Sequence, residues 1–133
     1  MTDSQSNLIQ RIRTVFRGEI AVDGPAVAEA SADASVFEIR PEVVVSPADV
    51  EDVKAFVRLA DGGTVPGLSV TPRSAGTDMS GGSLTSSAVM RFTPHLNAIK
   101  EVGDGFAITQ PGVYYRDFEK ATLAKNWLLP CYP

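Results

Sequence analysis

The chain has 133 residues, enough for one domain with its own core. Apolar residues make up 44% and charged residues 21%, a balance that excludes disorder over the whole length. The net charge of −4 excludes a generally basic, nucleic-acid-binding surface.

Residues 1–7 are polar and read as an irregular start. Leu8, Ile9, Ile12, Val15 and Phe16 recur at helical spacing, and Gly18 is placed to stop that helix. The Ala- and Ser-rich stretch from Ala26 to Ser35 reads as a short helix followed by an irregular crossing segment. Val43, Val44 and Val45 form a β-branched run expected to be a buried strand. Ser46 then reads as an N-cap, Pro47 as the first helical residue and Asp49 as a first-turn acid. Val50, Val53, Val57 and Ala60 share one face of this helix, which Gly62 and Gly63 end. A second strand is expected around Leu68–Thr71, parallel to the first through a right-handed crossover and next to it. A third strand is expected from Ala88 to Phe92. Asp104-Gly105 marks a hairpin between Ile99–Val102 and Phe106–Thr109. Tyr115–Lys125 reads as a helix with Asn126 in a left-handed cap, and Trp127–Leu129 as the start of another strand. The fold class is α/β, α+β overall.

Between the second and third strands lies Pro72-Arg73-Ser74-Ala75-Gly76-Thr77-Asp78-Met79-Ser80-Gly81-Gly82-Ser83. Its glycines let the backbone approach a ligand, and successive N–H groups in such a loop converge on an anion. Ser74, Thr77, Ser80 and Ser83 add hydroxyls, and Arg73 adds a charge. A diphosphate suits this chemistry; a surface loop with no ligand is the alternative. The dinucleotide pattern GxGxxG is absent, because Thr77 and Asp78 follow Gly76. The nucleoside-triphosphate pattern GxxxxGK[ST] fails at Gly82, where the lysine should stand.

Several segments, in order, carry a family resemblance. They are Arg40-Pro41-Glu42-Val43-Val44-Val45-Ser46-Pro47, Glu51-Asp52-Val53, the loop Pro72–Gly82, Leu96-Asn97-Ala98-Ile99, Gln110-Pro111-Gly112-Val113 and Leu129-Pro130-Cys131-Tyr132-Pro133. Together they resemble the FAD-linked oxidase family, with its vanillyl-alcohol-oxidase / p-cresol-methylhydroxylase type of FAD-binding domain. The glycolate oxidase and D-lactate dehydrogenase branch is the nearest in flavour, and Asp33-Ala34-Ser35 resembles the segment preceding the domain there. The resemblance implies an N-terminal α/β subdomain, then the start of a second, mainly antiparallel subdomain, with FAD between them. The expected division is a helical extension over residues 1–39 and an FAD-binding domain over 40–133, incomplete at its C-terminus.

Carried over residue by residue, the resemblance implies FAD contacts from Pro72, Arg73, Ser74, Ala75, Gly76, Thr77, Asp78, Ser80 and Gly81. It adds the turn Pro111, Gly112 and Val113, which lines the cofactor in this family. Members with covalent flavin often carry histidine where Thr77 stands, so the resemblance implies non-covalent FAD. The family continues past the point where this chain ends, with a second glycine-rich loop and a substrate-binding cap. Substrate and electron acceptor are expected to engage that part, and no catalytic acid, base or metal ligand is expected among these residues. The isolated piece is expected to be inactive and prone to self-association.

The remaining chemistry-bearing residues have plainer readings. His95, after Pro94, reads as a turn residue rather than a base. Asp78 reads as a cap on its own loop, since a carboxylate beside an anion is otherwise unfavourable. Arg73 suits phosphate pairing and pinning of the loop equally. Tyr114, Tyr115, Phe118 and Trp127 read as core. Cys131, the single cysteine, reads as an inert thiol and permits no internal disulfide, which suits a reducing compartment. No apolar run approaches the ~20 residues of a membrane span. The expected location is cytoplasmic.

The expected function is the FAD-binding portion of a flavin-dependent dehydrogenase or oxidase acting on a 2-hydroxy acid. The alternatives are a peptidoglycan-precursor reductase of the same superfamily and a non-catalytic α/β nucleotide-binding module.

Overall fold

The computed structural model describes residues 3–130. The elements run α1 (Asp3–Arg13), β1 (Glu19–Ala21), α2 (Gly24–Ala30), β2 (Val43–Ser46), α3 (Val50–Asp61), β3 (Val70–Arg73), β4 (Ala88–Arg91), β5 (Ile99–Val102), β6 (Ala107–Thr109) and α4 (Tyr115–Leu123). α1 begins at Asp3, so most of the expected irregular start is helical.

Four strands form one sheet in the order β1-β2-β4-β3. β2, β4 and β3 are parallel, and β1 is an antiparallel edge strand on β2. β2 and β3 do run parallel, as expected, but they are not neighbours: β4 lies between them. The physical reason is burial and hydrogen bonding. Ala88, Val89 and Met90 are 0–2% exposed and suit a central strand. Pro72 has no N–H to donate, so β3 belongs at the edge, with one partner.

Alternate residues of the strands feed two apolar layers. Val43, Val45, Ala88 and Met90 pack under α1 and α3, against Leu8, Ile12, Phe16 and Phe56. The rings of Phe16 and Phe56 meet edge to face at 5.9 Å. Val44 and Val89 face α2, against Val27 and Ala30. Helix α1, although it precedes the motif-bearing segment, thus supplies Leu8 and Ile12 to the main core, and Phe16 joins them just after its end.

The start of α3 differs from the sequence expectation. Ser46 is committed to the β1–β2 ladder opposite Glu19, and the N-cap is Asp49. Its carboxylate accepts from the N–H groups of Glu51 (2.9 Å) and Asp52 (3.1 Å). Asp52 is buried and accepts from the backbone of Ala48 (2.9 Å) and Arg17 (3.1 Å). The Arg17 guanidinium reaches both carboxylates, at 2.6 Å and 3.2 Å, and ties the β1 entry to α3.

Beyond β4 the chain forms the expected hairpin, β5–β6, with Gly105 at φ +80°. The helix α4 follows, and Asn126 takes the left-handed conformation at φ 62°. Residues 127–129 are not a strand. They follow α4 irregularly, held by Trp127 N–H on the Thr122 carbonyl (3.0 Å) and Tyr115 Oη on the Leu129 carbonyl (2.8 Å). With no sheet partner there, Trp127 is 44% exposed rather than core. Cys131 and the end of the Leu129–Pro133 motif lie outside the described residues.

Candidate functional site

The three parallel strands end at one edge of the sheet, and the glycine-rich loop leaves β3 there. Two glycines set its path: Gly76 at φ +70° and Gly81 at φ +84°, both in the left-handed region that side chains resist. Gly81 lies against Phe37, whose Cδ2 would stand 3.0 Å from an added Cβ. An added Cβ on Gly76 would run into the Arg73 guanidinium.

Arg73 is 5% exposed. Its guanidinium donates to the Ala32 carbonyl at 2.8 Å and to Ser83 Oγ at 3.4 Å. Ser83 Oγ donates in turn to Asp33 Oδ2 at 3.0 Å. Of the two sequence readings of Arg73, this is the geometry of the pin. Asp78 folds back on its own loop. Its Oδ1 accepts from Ser80 N–H (2.7 Å), Ser80 Oγ (2.8 Å) and Gly82 N–H (3.0 Å). The Gly82 and Ser80 hydrogen bonds hold this carboxyl below the usual aspartate range.

The donors left over are the informative ones. The N–H groups of Ser80 and Gly82 are taken by Asp78. Those of Ser74, Ala75, Gly76 and Thr77 donate to no acceptor among the described residues. Four consecutive unengaged N–H groups at the carboxyl edge of a parallel sheet have the chemistry that suits an anion. Three of these residues, Ser74, Ala75 and Thr77, line a cavity of about 880 Å³ with Val113, Tyr114 and Phe118, among others.

The cavity therefore brings together Ser74, Ala75, Thr77 and Val113 of the sequence-derived set. A shallower recess of about 260 Å³ adds Pro72, Gly76 and Asp78. Ser80 is exposed, Gly81 is half-buried against Phe37, and Pro111 is exposed at its turn. Gly112 is buried and faces its own fold: its N–H donates to Leu96 O at 2.8 Å, and an added Cβ would strike the Phe92 carbonyl. It holds the turn so that Val113 reaches the cavity.

Tyr114 and the aromatic residues of α4 correct the sequence reading. Tyr114 is 51% exposed, and Tyr115 and Phe118 are half-buried on the cavity wall, with rings 6.1 Å apart. They are not core because α4 packs on β5 and leaves this face towards the loop. Arg116 also lines the cavity. The available signal was position: these residues directly follow the Pro111-Gly112 turn. His95 sits in a turn, 3.1 Å from Glu19 and away from the cavity residues.

A protein-family profile described as "FAD binding domain" matches residues 41–133. The chain belongs to the FAD-binding-domain family. Among curated proteins it is similar to D-2-hydroxyglutarate dehydrogenase of Pseudomonas putida, 32% identical over 65% of this chain and 9% of that protein. The Escherichia coli protein of the same name is 30% identical over 74% of this chain and 10% of its own length. The chain thus spans about a tenth of these relatives. Among solved structures, p-cresol methylhydroxylase with substrate bound superposes with a TM-score of 0.73 at 16% identity, over 95% of this chain and 26% of that one. An alkyldihydroxyacetonephosphate synthase gives 0.73 at 17% identity, over 91% and 25%. These likenesses establish the fold, which is the p-cresol-methylhydroxylase type expected from the sequence.

The residues present fit the diphosphate of FAD. The N–H row of Ser74–Thr77 supplies donors, the Asp78 carboxylate is engaged by its own loop, and the cavity beside it is lined by Val113, Tyr114 and Phe118 together with the opposite charges of Arg116 and Asp117. Among the described residues no His, Cys, Asp and Glu cluster has metal-binding geometry, and no helix is long and apolar enough to cross a membrane.

Proposed function

We propose that this chain is the diphosphate-holding part of a flavin-dependent dehydrogenase acting on a 2-hydroxy acid. The observation that carries the proposal is the row of unengaged N–H groups from Ser74 to Thr77 at the cavity edge. The D-2-hydroxyglutarate dehydrogenases among its relatives support the 2-hydroxy acid class over a peptidoglycan-precursor reductase.

When bound, FAD supplies the hydride acceptor, and the protein's part is binding and orientation. Ser74–Thr77 hold the diphosphate by backbone donors, which cost little reorganisation because the loop is already folded around Asp78. Val113 and the α4 aromatics exclude water from one side of the cofactor. Thr77 offers no histidine for a flavin bond, so the cofactor is held non-covalently. Substrate and electron acceptor engage the part of the protein beyond these residues. The exposed apolar residues Tyr114, Leu123 and Trp127 support self-association of residues 1–133 when separated from that part.

The test is to purify the full-length protein, release its flavin by acid precipitation and identify it. FAD in the supernatant and flavin bleaching by a D-2-hydroxy acid are expected. A colourless protein that takes up no FAD on titration overturns the reading. Bleaching only by a nicotinamide cofactor, with none by hydroxy acids, overturns the substrate class.

A further inference from the structure

Residues 32–38, between α2 and β2, lie outside the family match, yet they touch the glycine-rich loop at both ends. At the first foot, the Ala32 carbonyl accepts from Arg73 at 2.8 Å. At the second, Asp33 Oδ2 accepts from Ser83 Oγ at 3.0 Å. Between them, Phe37 and Ser35 lie against Gly81, at 3.0 and 3.7 Å from its Cβ position. The segment is itself folded for the purpose: Asp33 Oδ1 accepts from Ser35 N–H (2.8 Å), Ser35 Oγ accepts from Phe37 N–H (3.1 Å), and Ala32 pairs with Glu38 as an isolated bridge.

We propose that residues 32–38 are a strap that sets the diphosphate loop, with Asp33 and Arg73 as positioning residues that do not touch the cofactor. The inference rests on the FAD reading above. A loop of this composition has many accessible backbone states, and ordering it on binding would subtract from affinity. The strap removes that cost beforehand. It fixes the two feet through a continuous path, from Asp33 to Ser83 to Arg73 to Ala32, that crosses 50 residues of sequence in one step and 41 in another. The Arg73 guanidinium occupies the space beneath Gly76 and so supports the middle of the N–H row as well as its start. Ser83 is the hinge of the path, since its hydroxyl both accepts from Arg73 and donates to Asp33.

A residue that merely contributes to folding would weaken the whole domain. A strap acts on the loop alone. The test therefore pairs FAD affinity of the full-length protein with backbone amide exchange of its flavin-free form. Asp33→Ala and Ser83→Ala are each expected to raise the FAD dissociation constant about tenfold, the effect of one charge-assisted hydrogen bond. The double variant is expected to be no weaker than either single one, because both cut the same path. Asp33→Asn keeps an acceptor for Ser83 and is expected to stay within about threefold of the parent. In the flavin-free protein, both Ala variants are expected to speed exchange at residues 74–82 while β2 and β4 stay protected.

Uniform loss of protection across β2 and β4 overturns the proposal and makes Asp33 a folding residue. Unchanged FAD affinity in Ser83→Ala, which removes one small hydroxyl, also overturns it. Additive effects of the two substitutions break the path and overturn it too. A parent protein that binds no FAD refutes the cofactor reading instead, and the exchange measurement still decides whether the strap holds the loop.

Discussion

At the scale of single residues, the loop is governed by which groups are already engaged. Asp78 engages the N–H groups of Ser80 and Gly82, while those of Ser74–Thr77 donate to no acceptor among the described residues. Gly76 combines a left-handed φ of +70° with an arginine pressed beneath it. Gly76→Val is expected to push the free loop out of this conformation, and the roughly 1–3 kcal/mol needed to restore it on binding weakens FAD affinity of the full-length protein by about five- to two-hundred-fold. Displacement of Arg73 adds to this. His95→Ala is the comparison, since His95 meets Glu19 and lines neither the cavity nor the recess, and it is expected to leave affinity unchanged. Flavin titration of both, with folding checked by circular dichroism, decides the matter; the reverse pattern removes the loop from the cofactor site.

At the scale of elements, buried polar residues join pieces that hydrophobic pattern alone would leave loosely related. Asp52, 1% exposed, accepts from two backbone N–H groups and from Arg17. Asp52→Ala strands those backbone donors and is expected to destabilise the protein by about 3 kcal/mol. Asp52→Asn keeps one acceptor oxygen and is expected to recover part of that loss. Urea unfolding measures both, and equal stability of the Ala variant and the parent contradicts the assignment. Strand order has the same kind of cause. Pro72 puts β3 at the edge, and the edge is where a strand can end in an irregular loop without breaking a second ladder.

At the scale of the whole molecule, three carboxylates share one pH response: Asp49 and Asp33 tie separate regions together, and Asp78 orders its own loop. Asp49 is held below the usual aspartate range first by the Arg17 hydrogen bond, Asp33 first by the Ser35 hydroxyl, and Asp78 first by the Gly82 N–H. A carboxyl with a lowered folded-state pKa stabilises the fold above its unfolded value and loses that contribution as pH falls through the folded value. The thermal midpoint is therefore expected to stay level from neutral pH to about 5 and to fall below about 4, near the ordinary aspartate value. Flavin release is expected in the same window, since two of the three carboxylates order the loop and its strap. Asp33→Asn and Asp78→Asn are expected to flatten the acid limb, and a parent midpoint constant down to about pH 3 would contradict this account.

The sequence by itself determined the units. The β-branched run Val43–Val45, the hairpin at Asp104-Gly105, the left-handed Asn126 and the composition of the loop follow from local preferences of the chain, and each stands where those preferences put it. The capping role of Asp78 was also legible, because it acts over four residues of its own loop. Contacts across long separations were not. Nothing local says that β4 lies between β2 and β3, that Asp49 rather than Ser46 caps α3, or that the α4 aromatics line a cavity instead of a core. Arg73 is the clearest case: its two readings were equal until a carbonyl 41 residues away took up its guanidinium. Local conformational preference is carried by neighbouring residues and can be read along the chain. Which polar group meets which across the fold is decided by packing, and only the tertiary structure holds that information.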